Sequence, residues 1–200
     1  MESDTEHYDR QDTNSWMYRR FELISKLDPL FYENYNLGGQ YLMVVKDDLV
    51  GADQLMRRGL EFYPEDVSLN WHMGFLWAYE MRDTKKAYPF FATVSNKPNR
   101  PAMFDNMFAR LKAEVFGARD AYEFALESWR KLPIDSPLKQ RLEVNLYSLK
   151  AEIDLACLNE NKIGCEKMDF EGKPYLNEKG VWKSSKPLIK TRLNFREKKS

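Results

Sequence analysis

Apolar residues recur along most of this chain at the three- and four-residue spacing of helices that bury one face. Between residues 14 and 27, apolar side chains at positions 16, 17, 21, 24 and 27 form one stripe, and Asp28-Pro29 ends the pattern. The same spacing predicts helix pairs over roughly 30–64, 65–98 and 101–133. A long helix follows from Ser136, a residue suited to capping it, to about Leu158. The sequence therefore predicts an all-α fold over residues 14–158.

The three predicted helix pairs repeat one pattern about every 35 residues. The first helix of each pair carries a small residue, at Gly39, Gly74 and Ala109. The second helices carry alanine followed four residues later by another apolar residue, and a proline closes each pair. These positions are Ala52/Met56, Ala87/Phe91, Ala121/Ala125, Pro64, Pro98 and Pro133. A fixed period of this length predicts a solenoid of stacked helical hairpins.

This pattern resembles the tetratricopeptide repeat, most specifically at Met73-Gly74-x2-Trp77. The resemblance implies about three repeats plus flanking helices, in a class of protein that binds partners and rarely carries chemistry. The stretch 23–32, followed by Tyr35-x2-Gly38-Gly39, is similar to a narrower group of bacterial envelope-associated repeat proteins of unassigned function. Their precursors often begin with a hydrophobic anchor. The narrower resemblance implies an anchor and part of a first helix outside this chain, an extracytoplasmic location and a disulfide.

Outside the predicted solenoid the helical period is absent. Residues 1–13 are charged and predict a flexible lead-in. Residues 159–200 predict an irregular tail with a short hairpin around 177–180, where turn residues lie between apolar pairs. From Lys162 onward the chain has 11 Lys/Arg against 5 Asp/Glu, a net charge of +6, so the first 161 residues carry −6. The predicted organisation is thus a lead-in, a slightly acidic solenoid and a basic tail.

The charge balance limits the classes of partner. The whole chain has 31 basic and 31 acidic residues, so no bulk field attracts nucleic acid or acidic lipid. The basic tail is compatible with a solvated terminus or with a membrane or nucleic-acid contact. We expect no nucleic-acid partner, and a membrane contact only through an anchor absent from this chain. The polar N-terminus is unlike a signal peptide, which by itself favours the cytoplasm as the alternative to the envelope.

Residues that carry chemistry are few and scattered. His7 and His72 are the only histidines, and they form no plausible triad with the serines or cysteines. The two cysteines and two histidines lack the spacing of a metal site. Gly38-Gly39 has no following Lys-Ser/Thr, so it is no phosphate-binding loop. The sequence predicts a protein that is not an enzyme, with no catalytic residues, metal or cofactor.

Cys157 and Cys165 are eight residues apart across a predicted helix end. They are compatible with two reduced thiols or with a disulfide that pins the tail to the last helix. A bridge closing so short a loop would stabilise the fold by about 2–3 kcal/mol in the chain-entropy model. It would also place the protein outside the reducing cytosol.

The first helix of each repeat lines the concave face in a solenoid of this kind, and that face is the predicted partner-binding groove. An aromatic centre between amides and an arginine suits an extended or helical peptide segment. The predicted groove consists of Glu33, Asn36, Gln40 and Met43, then Trp71, Phe75 and Tyr79, then Met103, Asn106 and Arg110. Alternatively, Trp71 and Phe75 pack against another part of the same chain.

Two functions remain after this reasoning. The first is a protein-interaction scaffold that presents the groove within a larger complex, in the cell envelope or on its periplasmic side. The second is a purely structural subunit whose apolar surfaces are buried against neighbouring subunits, with no peptide ligand.

Overall fold

The computed structural model describes residues 15–193, in which eight helices and one two-stranded antiparallel sheet are present. Helices account for 64% of the described residues, so the predicted all-α class is confirmed. The elements are α1 (Trp16–Leu27), α2 (Tyr32–Val44), α3 (Leu49–Phe62), α4 (Val67–Phe75) with a π-helical turn (Leu76–Glu80), α5 (Thr84–Ser95), α6 (Phe104–Val115), α7 (Ala118–Lys131), α8 (Pro137–Asn159), β1 (Leu176–Glu178) and β2 (Val181–Lys183). The predicted lead-in (1–13) and positions 194–200 of the predicted tail lie outside the described residues.

The chain folds as two compact units, Met1–Arg100 and Pro101–Ser200, which we call the N-terminal and C-terminal units. Among the described residues, the N-terminal unit contains α1 to α5, and the C-terminal unit contains α6 to α8 and the sheet. The division falls within the predicted solenoid of residues 14–158, after its second complete helix pair.

In the N-terminal unit, α2 packs against α3 and α4 packs against α5, and the closest approaches recur 35 residues apart. Gly39 on α2 faces the side chain of Met56, and Gly74 on α4 faces the buried ring of Phe91. A Cβ at Gly74 would lie 2.6 Å from a carbon of that ring. Both pairs therefore depend on a residue without a side chain where the two helices cross.

A hydrogen bond that anchors each first helix follows the same period. The Tyr35 hydroxyl donates to the carbonyl of Pro29 at 2.8 Å, and the Asn70 amide donates to the carbonyl of Pro64 at 2.9 Å. In both cases the acceptor is the proline that follows the preceding helix, α1 for Pro29 and α3 for Pro64. The repeat in sequence is thus also a repeat in hydrogen bonding.

The second helices of both pairs begin at an aspartate cap. Asp48 accepts from the Gly51 N–H at the start of α3, and Asp83 accepts from the Lys86 N–H at the start of α5. Asp48 is buried and also accepts a hydrogen bond from Ser15 Oγ, and Ser15 itself caps α1. One carboxylate therefore ties the start of α1 to the start of α3.

The π-helical turn after α4 is a departure from the α-helical period that the sequence predicts. Met81 N–H donates to the carbonyl of Leu76, five residues earlier. The Trp77 indole N–H donates to Asp53 Oδ1 on α3 at 2.8 Å, which fixes the turn against its neighbour. π-Helical turns often occur at functional sites. This one contains Tyr79, a predicted groove residue.

One core cluster of the C-terminal unit joins buried alanines of α6 and α7 to leucines of α8. Its members are Ala109, Ala113, Ala121, Ala125, Leu142, Leu146 and Leu149. α6 also buries Phe104, Phe108 and Leu111. Gly117 joins α6 to α7 with a φ of 101°, a left-handed conformation that favours glycine. Ser136 precedes α8 as predicted, but its side chain makes no capping hydrogen bond.

Residues 160–193 are folded back onto α8, although the sequence pattern shows no element there except the hairpin. Cys157 on α8 and Cys165 are joined by a disulfide. The Tyr175 hydroxyl donates to the buried Asp154 carboxylate at 3.0 Å, and Lys150 donates to the same carboxylate at 2.8 Å. Burial, followed by the hydrogen bond to Asp154, raises the pKa of Tyr175, so the phenol remains a donor.

Two further contacts hold the end of the described chain on α8. The Asn159 side-chain amide accepts from the Trp182 backbone N–H on β2 at 2.8 Å and donates to the Trp182 carbonyl at 3.0 Å. Arg192 donates to both carboxylate oxygens of Glu152, at 2.7 and 3.2 Å. The tail is thus held on α8 by a disulfide between residues eight apart and by hydrogen bonds between residues 21 to 40 apart in sequence.

Candidate protein-binding surfaces

Two predicted groove residues on α2, Asn36 and Gln40, form a polar cluster with Ser68 and His72 of α4. Asn36 Oδ1 accepts from Ser68 Oγ at 2.9 Å and lies 3.1 Å from His72 Nδ1, and Gln40 donates to the Asn36 carbonyl at 3.2 Å. Because Oδ1 is an acceptor, His72 carries its proton on Nδ1. The cluster holds α2 and α4 side by side. All four side chains are half-buried.

His72 lies at the edge of this cluster and is mostly shielded from water. Burial lowers the pKa of His72 below its ordinary value of 6.5, and the more distant Asp66 carboxylate opposes the shift. The imidazole is therefore neutral at pH 7. It acts on this surface as a hydrogen-bonding group without charge.

The three aromatic residues of the predicted groove divide into two arrangements. Phe75 and Tyr79 stack with ring centroids 4.7 Å apart, and both are half-buried. Trp71 packs edge-on against the buried Phe91 ring at 5.6 Å, so part of its surface belongs to the core of the α4–α5 pair. The structure thus gives Trp71 a packing role alongside its predicted groove position.

Two further predicted groove residues, Asn106 and Arg110, lie on α6 in the C-terminal unit. The Asn106 side chain accepts a hydrogen bond from the buried Asn145 amide of α8. Arg110 is half-buried, and its Nε has no hydrogen-bond partner among the described residues. The structure therefore brings Asn36, Gln40, Trp71, Phe75 and Tyr79 together in one unit and places Asn106 and Arg110 in the other.

A concavity that the sequence did not predict lies wholly within the C-terminal unit. It has a volume of about 710 Å³ and lies between α7, the first half of α8 and the folded-back tail. We call it the C-terminal cleft. It is lined by Trp129 from α7, by Gln140, Glu143, Val144, Tyr147 and Ser148 from α8, and by Phe170, Glu171, Lys186 and Pro187 from the tail.

Aromatic rings form much of the cleft, and their positions are fixed by hydrogen bonds and ring contacts. The Trp129 indole N–H donates to Glu143 at 3.1 Å, and its ring meets Phe170 edge-on at 5.7 Å. Lys139 Nζ lies 4.3 Å from the centroid of the Trp129 ring. The Tyr147 hydroxyl shares a 2.8 Å hydrogen bond with Ser184. The cleft therefore has apolar walls that are already held in place.

Charged groups of both signs surround these rings. Glu171 pairs with Lys186 and Lys173, and the hydrogen bonds from these two lysines lower the pKa of Glu171. Lys186 also lies 5.4 Å from the centroid of the Tyr147 ring. The net charge around the cleft is therefore close to zero. The cleft favours a ligand with both apolar and hydrogen-bonding groups over a strongly charged one.

The sequence offered only a weak signal for this cleft. Phe170 and Lys186 lie in a segment without periodicity, and their contacts with α7 and α8 are between residues far apart in the chain. The paired cysteines were the one indication that the tail returns to the last helix.

Comparisons with protein-family models, with curated proteins and with solved structures gave no match. Among residues 15–193, no helix has the length and apolar character to cross a bilayer. In the same part of the chain, no three His, Cys, Asp or Glu side chains converge as metal ligands would.

Proposed function

We propose that this chain is a non-enzymatic protein-interaction scaffold built from tetratricopeptide-like hairpins, and that its C-terminal cleft binds an extended segment of a partner protein. The 35-residue recurrence of close helix crossings, proline-anchored first helices and aspartate caps supports the repeat assignment. The proposed class binds proteins through surfaces on and between its helices.

The cleft is the observation that carries the proposal. Its volume of about 710 Å³ lies within the roughly 300–1,000 Å³ of ordinary ligand pockets. Rings from Trp129, Tyr147 and Phe170 supply the apolar anchor sites typical of binding hot spots, and Glu143 and Lys186 supply polar groups that can orient a peptide backbone. Val144 on α8 also lines the cleft, and its side chain is 51% exposed.

The place of the cleft in the hairpin pattern suggests how a peptide would lie. α8 contacts both α6 and α7, as α4 contacts both α2 and α3, although the contact of α8 with α7 is much more extensive than that of α4 with α3. By its order in the chain, α8 holds the place of the first helix of a further pair. The tail contacts α8 from Tyr147 onward, where the second helix of that pair would lie. The first half of α8 remains uncovered at the cleft. A partner segment bound there would pack against α8 as the tail does farther along the same helix.

The predicted groove on α2 and α4 remains part of the proposal as a second surface. Phe75 and Tyr79 present a half-buried stacked pair beside the neutral cluster of Asn36, Gln40 and His72. We assign it the same kind of partner, a peptide or helix with apolar and amide groups.

We place the protein on the extracytoplasmic side of a bacterial envelope. The Cys157–Cys165 disulfide supports this location, because such bonds persist in oxidising compartments. The rival function, a structural subunit buried in a larger assembly, is favoured by one observation, the exposed apolar face of α1 and α2.

Selection of peptides from a random display library on the disulfide-bonded chain tests the binding function. We expect a consensus with apolar residues, whose affinity falls at least about tenfold on Val144→Arg, since central hot-spot contacts are worth about 2 kcal/mol. Ile163→Arg is the matched control, because Ile163 is fully exposed in the same unit and lies outside the cleft. Failure to select any consensus, or equal binding by both variants, would refute the cleft as the site.

A further inference from the structure

An apolar groove of about 340 Å³ lies between α1 and α2 in the N-terminal unit. It is lined by Phe21, Ile24, Phe31, Glu33, Asn34, Leu37, Gly38 and Tyr41. We call it the α1–α2 groove. Leu37 at its edge is 60% exposed, although it is the kind of residue that a helical array normally buries.

The repeat shows what shape of ligand this groove fits. One period later, the corresponding surface of α3 and α4 is covered by α2. Residues of α2 contact α3 at Met56 and Gly59, and they contact α4 at Ser68 and His72. The positions 35 residues earlier are Phe21, Ile24, Glu33 and Leu37, and all four line the α1–α2 groove. The groove is therefore a seat for a helix that lies on α1 and α2 as α2 lies on α3 and α4.

The direction of that helix follows from the hairpin geometry. α2 and α3 are joined by a four-residue connection and run antiparallel. A helix seated in the α1–α2 groove would accordingly run antiparallel to α1. The fourteen residues before Ser15 hold Met1 and Tyr8 as their only large apolar side chains, so they lack the stripe such a helix needs.

α1 also carries a second stripe of exposed apolar side chains, which one more helix would cover. Trp16, Leu23 and Leu27 lie on one side of α1, and Leu27 is 78% exposed. The residue one period after Leu23 is Arg58 on α3, which faces α1 and donates to Ser25 at 2.8 Å. Arg58 on α3 thus faces the neighbouring parallel helix, α1. One period earlier, Leu23 on α1 faces the position where another helix would lie beside α1 and parallel to it. A single helix in the groove would leave this stripe uncovered.

We propose that a second copy of this chain occupies the α1–α2 groove, with α1 of each copy seated in the groove of the other. A twofold axis perpendicular to α1 sets the partner's first helix antiparallel to α1, which is the direction the groove requires. The partner's second helix then runs parallel to α1, which is the direction the Leu23 stripe requires. One symmetric contact thus covers both surfaces and continues the packing pattern of the repeats.

Sedimentation equilibrium of the full 200-residue chain tests this over a roughly hundredfold concentration range, because dimerisation depends on concentration. We expect a monomer–dimer equilibrium whose dissociation constant rises at least about tenfold in Leu37→Asp and in Leu23→Asp. Both side chains are more than half exposed, so these variants are expected to keep the wild-type melting temperature and circular dichroism.

Ile163→Asp is the matched control, since it adds the same charge at an exposed apolar residue outside the N-terminal unit. It is expected to dimerise like wild type. A chain that stays monomeric throughout, or a dimer that Leu37→Asp and Leu23→Asp leave unchanged, overturns the proposal. In the first case the seat belongs to a helix of a different protein or of an upstream segment. Neither result bears on the C-terminal cleft.

Discussion

At the scale of single residues, Gly74 decides how closely the helices of the α4–α5 pair approach. Replacing it with alanine gains about 1 kcal/mol of helix propensity. The new Cβ, however, would meet three atoms of the Phe91 ring at 2.6–2.8 Å, and that ring is fully buried. Because overpacking of this kind costs about 1–3 kcal/mol, we expect Gly74→Ala to lower the free energy of unfolding despite its better propensity.

Urea unfolding of a double-mutant cycle locates the effect in this contact. Phe91→Leu removes the ring, so Gly74→Ala should be neutral or stabilising in the Phe91→Leu background. If Gly74→Ala alone raises the stability of the wild-type chain, the close crossing at Gly74 does not exist.

His72 gives stability a dependence on pH with a definite sign. Burial lowers its pKa in the folded state, so below pH 6.5 the unfolded chain binds the proton more readily than the folded chain. The contribution of the neutral imidazole is fully present above pH 6.5 and is lost as the pH falls below that value. We expect chemical unfolding to show less loss of stability between about pH 7.5 and 5 in His72→Gln than in wild type.

His7→Gln is the control, because His7 is the only other histidine in the sequence. The stability of this variant should depend on pH as that of the wild type does. If wild type and His72→Gln show the same dependence of stability on pH, the pKa of His72 is not lowered by folding.

At the scale of elements, the helices were predictable because their signals are local. Asp28-Pro29 marks the end of α1, and the apolar spacing and Pro137 mark the extent and start of α8. The π-helical turn was missed because its anchor, the Trp77–Asp53 hydrogen bond, joins two helices and leaves no pattern in either. The spacing of apolar residues shows which face of a helix is buried. It gives little information about a polar contact between two helices that changes the helical pitch.

The tail was the least predictable element for the same reason. Its course is set by Asp154, Asn159 and Glu152, which look like ordinary polar-face residues of a terminal helix. The C-terminal cleft depends on that course, so it was also beyond reach of the sequence. The repeat register alone was enough to assign Asn36, Gln40, Trp71, Phe75 and Tyr79 to the first helices of the repeats, and their role as a groove stays a prediction.

The disulfide and the polar contacts hold different parts of the tail, and their effects can be separated. Reduction frees Cys165 and the loop before it, while the contacts of Trp182 with Asn159 and of Arg192 with Glu152 remain. We expect hydrogen–deuterium exchange to rise after reduction in residues 160–168 and to change little in residues 182–192. The Cys157→Ser/Cys165→Ser variant should reproduce the reduced pattern. A uniform rise over the whole tail would mean that the disulfide alone holds it on α8.

At the scale of the whole molecule, much of the tail's positive charge is used within its own unit. Arg192 pairs with Glu152, Lys183 pairs with Glu178, and Lys186 pairs with Glu171. Exposed pairs of this kind add little stability, about 0–1 kcal/mol each. Glu152 neutralises one positive charge of the tail from outside it, and the other two pairs place tail carboxylates directly beside tail lysines. The local positive charge presented to an acidic membrane or a nucleic acid is therefore reduced, which supports a protein as the partner.

Each unit has its own buried residues, and those of the C-terminal unit include two clusters. Its two clusters join α6 to α8 and join α8 to the tail. Chains well under 100 residues fold independently when they bury a continuous core. We therefore expect fragment 101–200 to be helical by circular dichroism, to melt cooperatively and to form the Cys157–Cys165 disulfide in peptide mapping. Fragment 117–200 is the matched control, because it loses α6 with Ala109 and Ala113 and should fail to melt cooperatively. An unfolded fragment 101–200 would show that the core of this unit is not sufficient, and peptide selection on the cleft would then require the full chain.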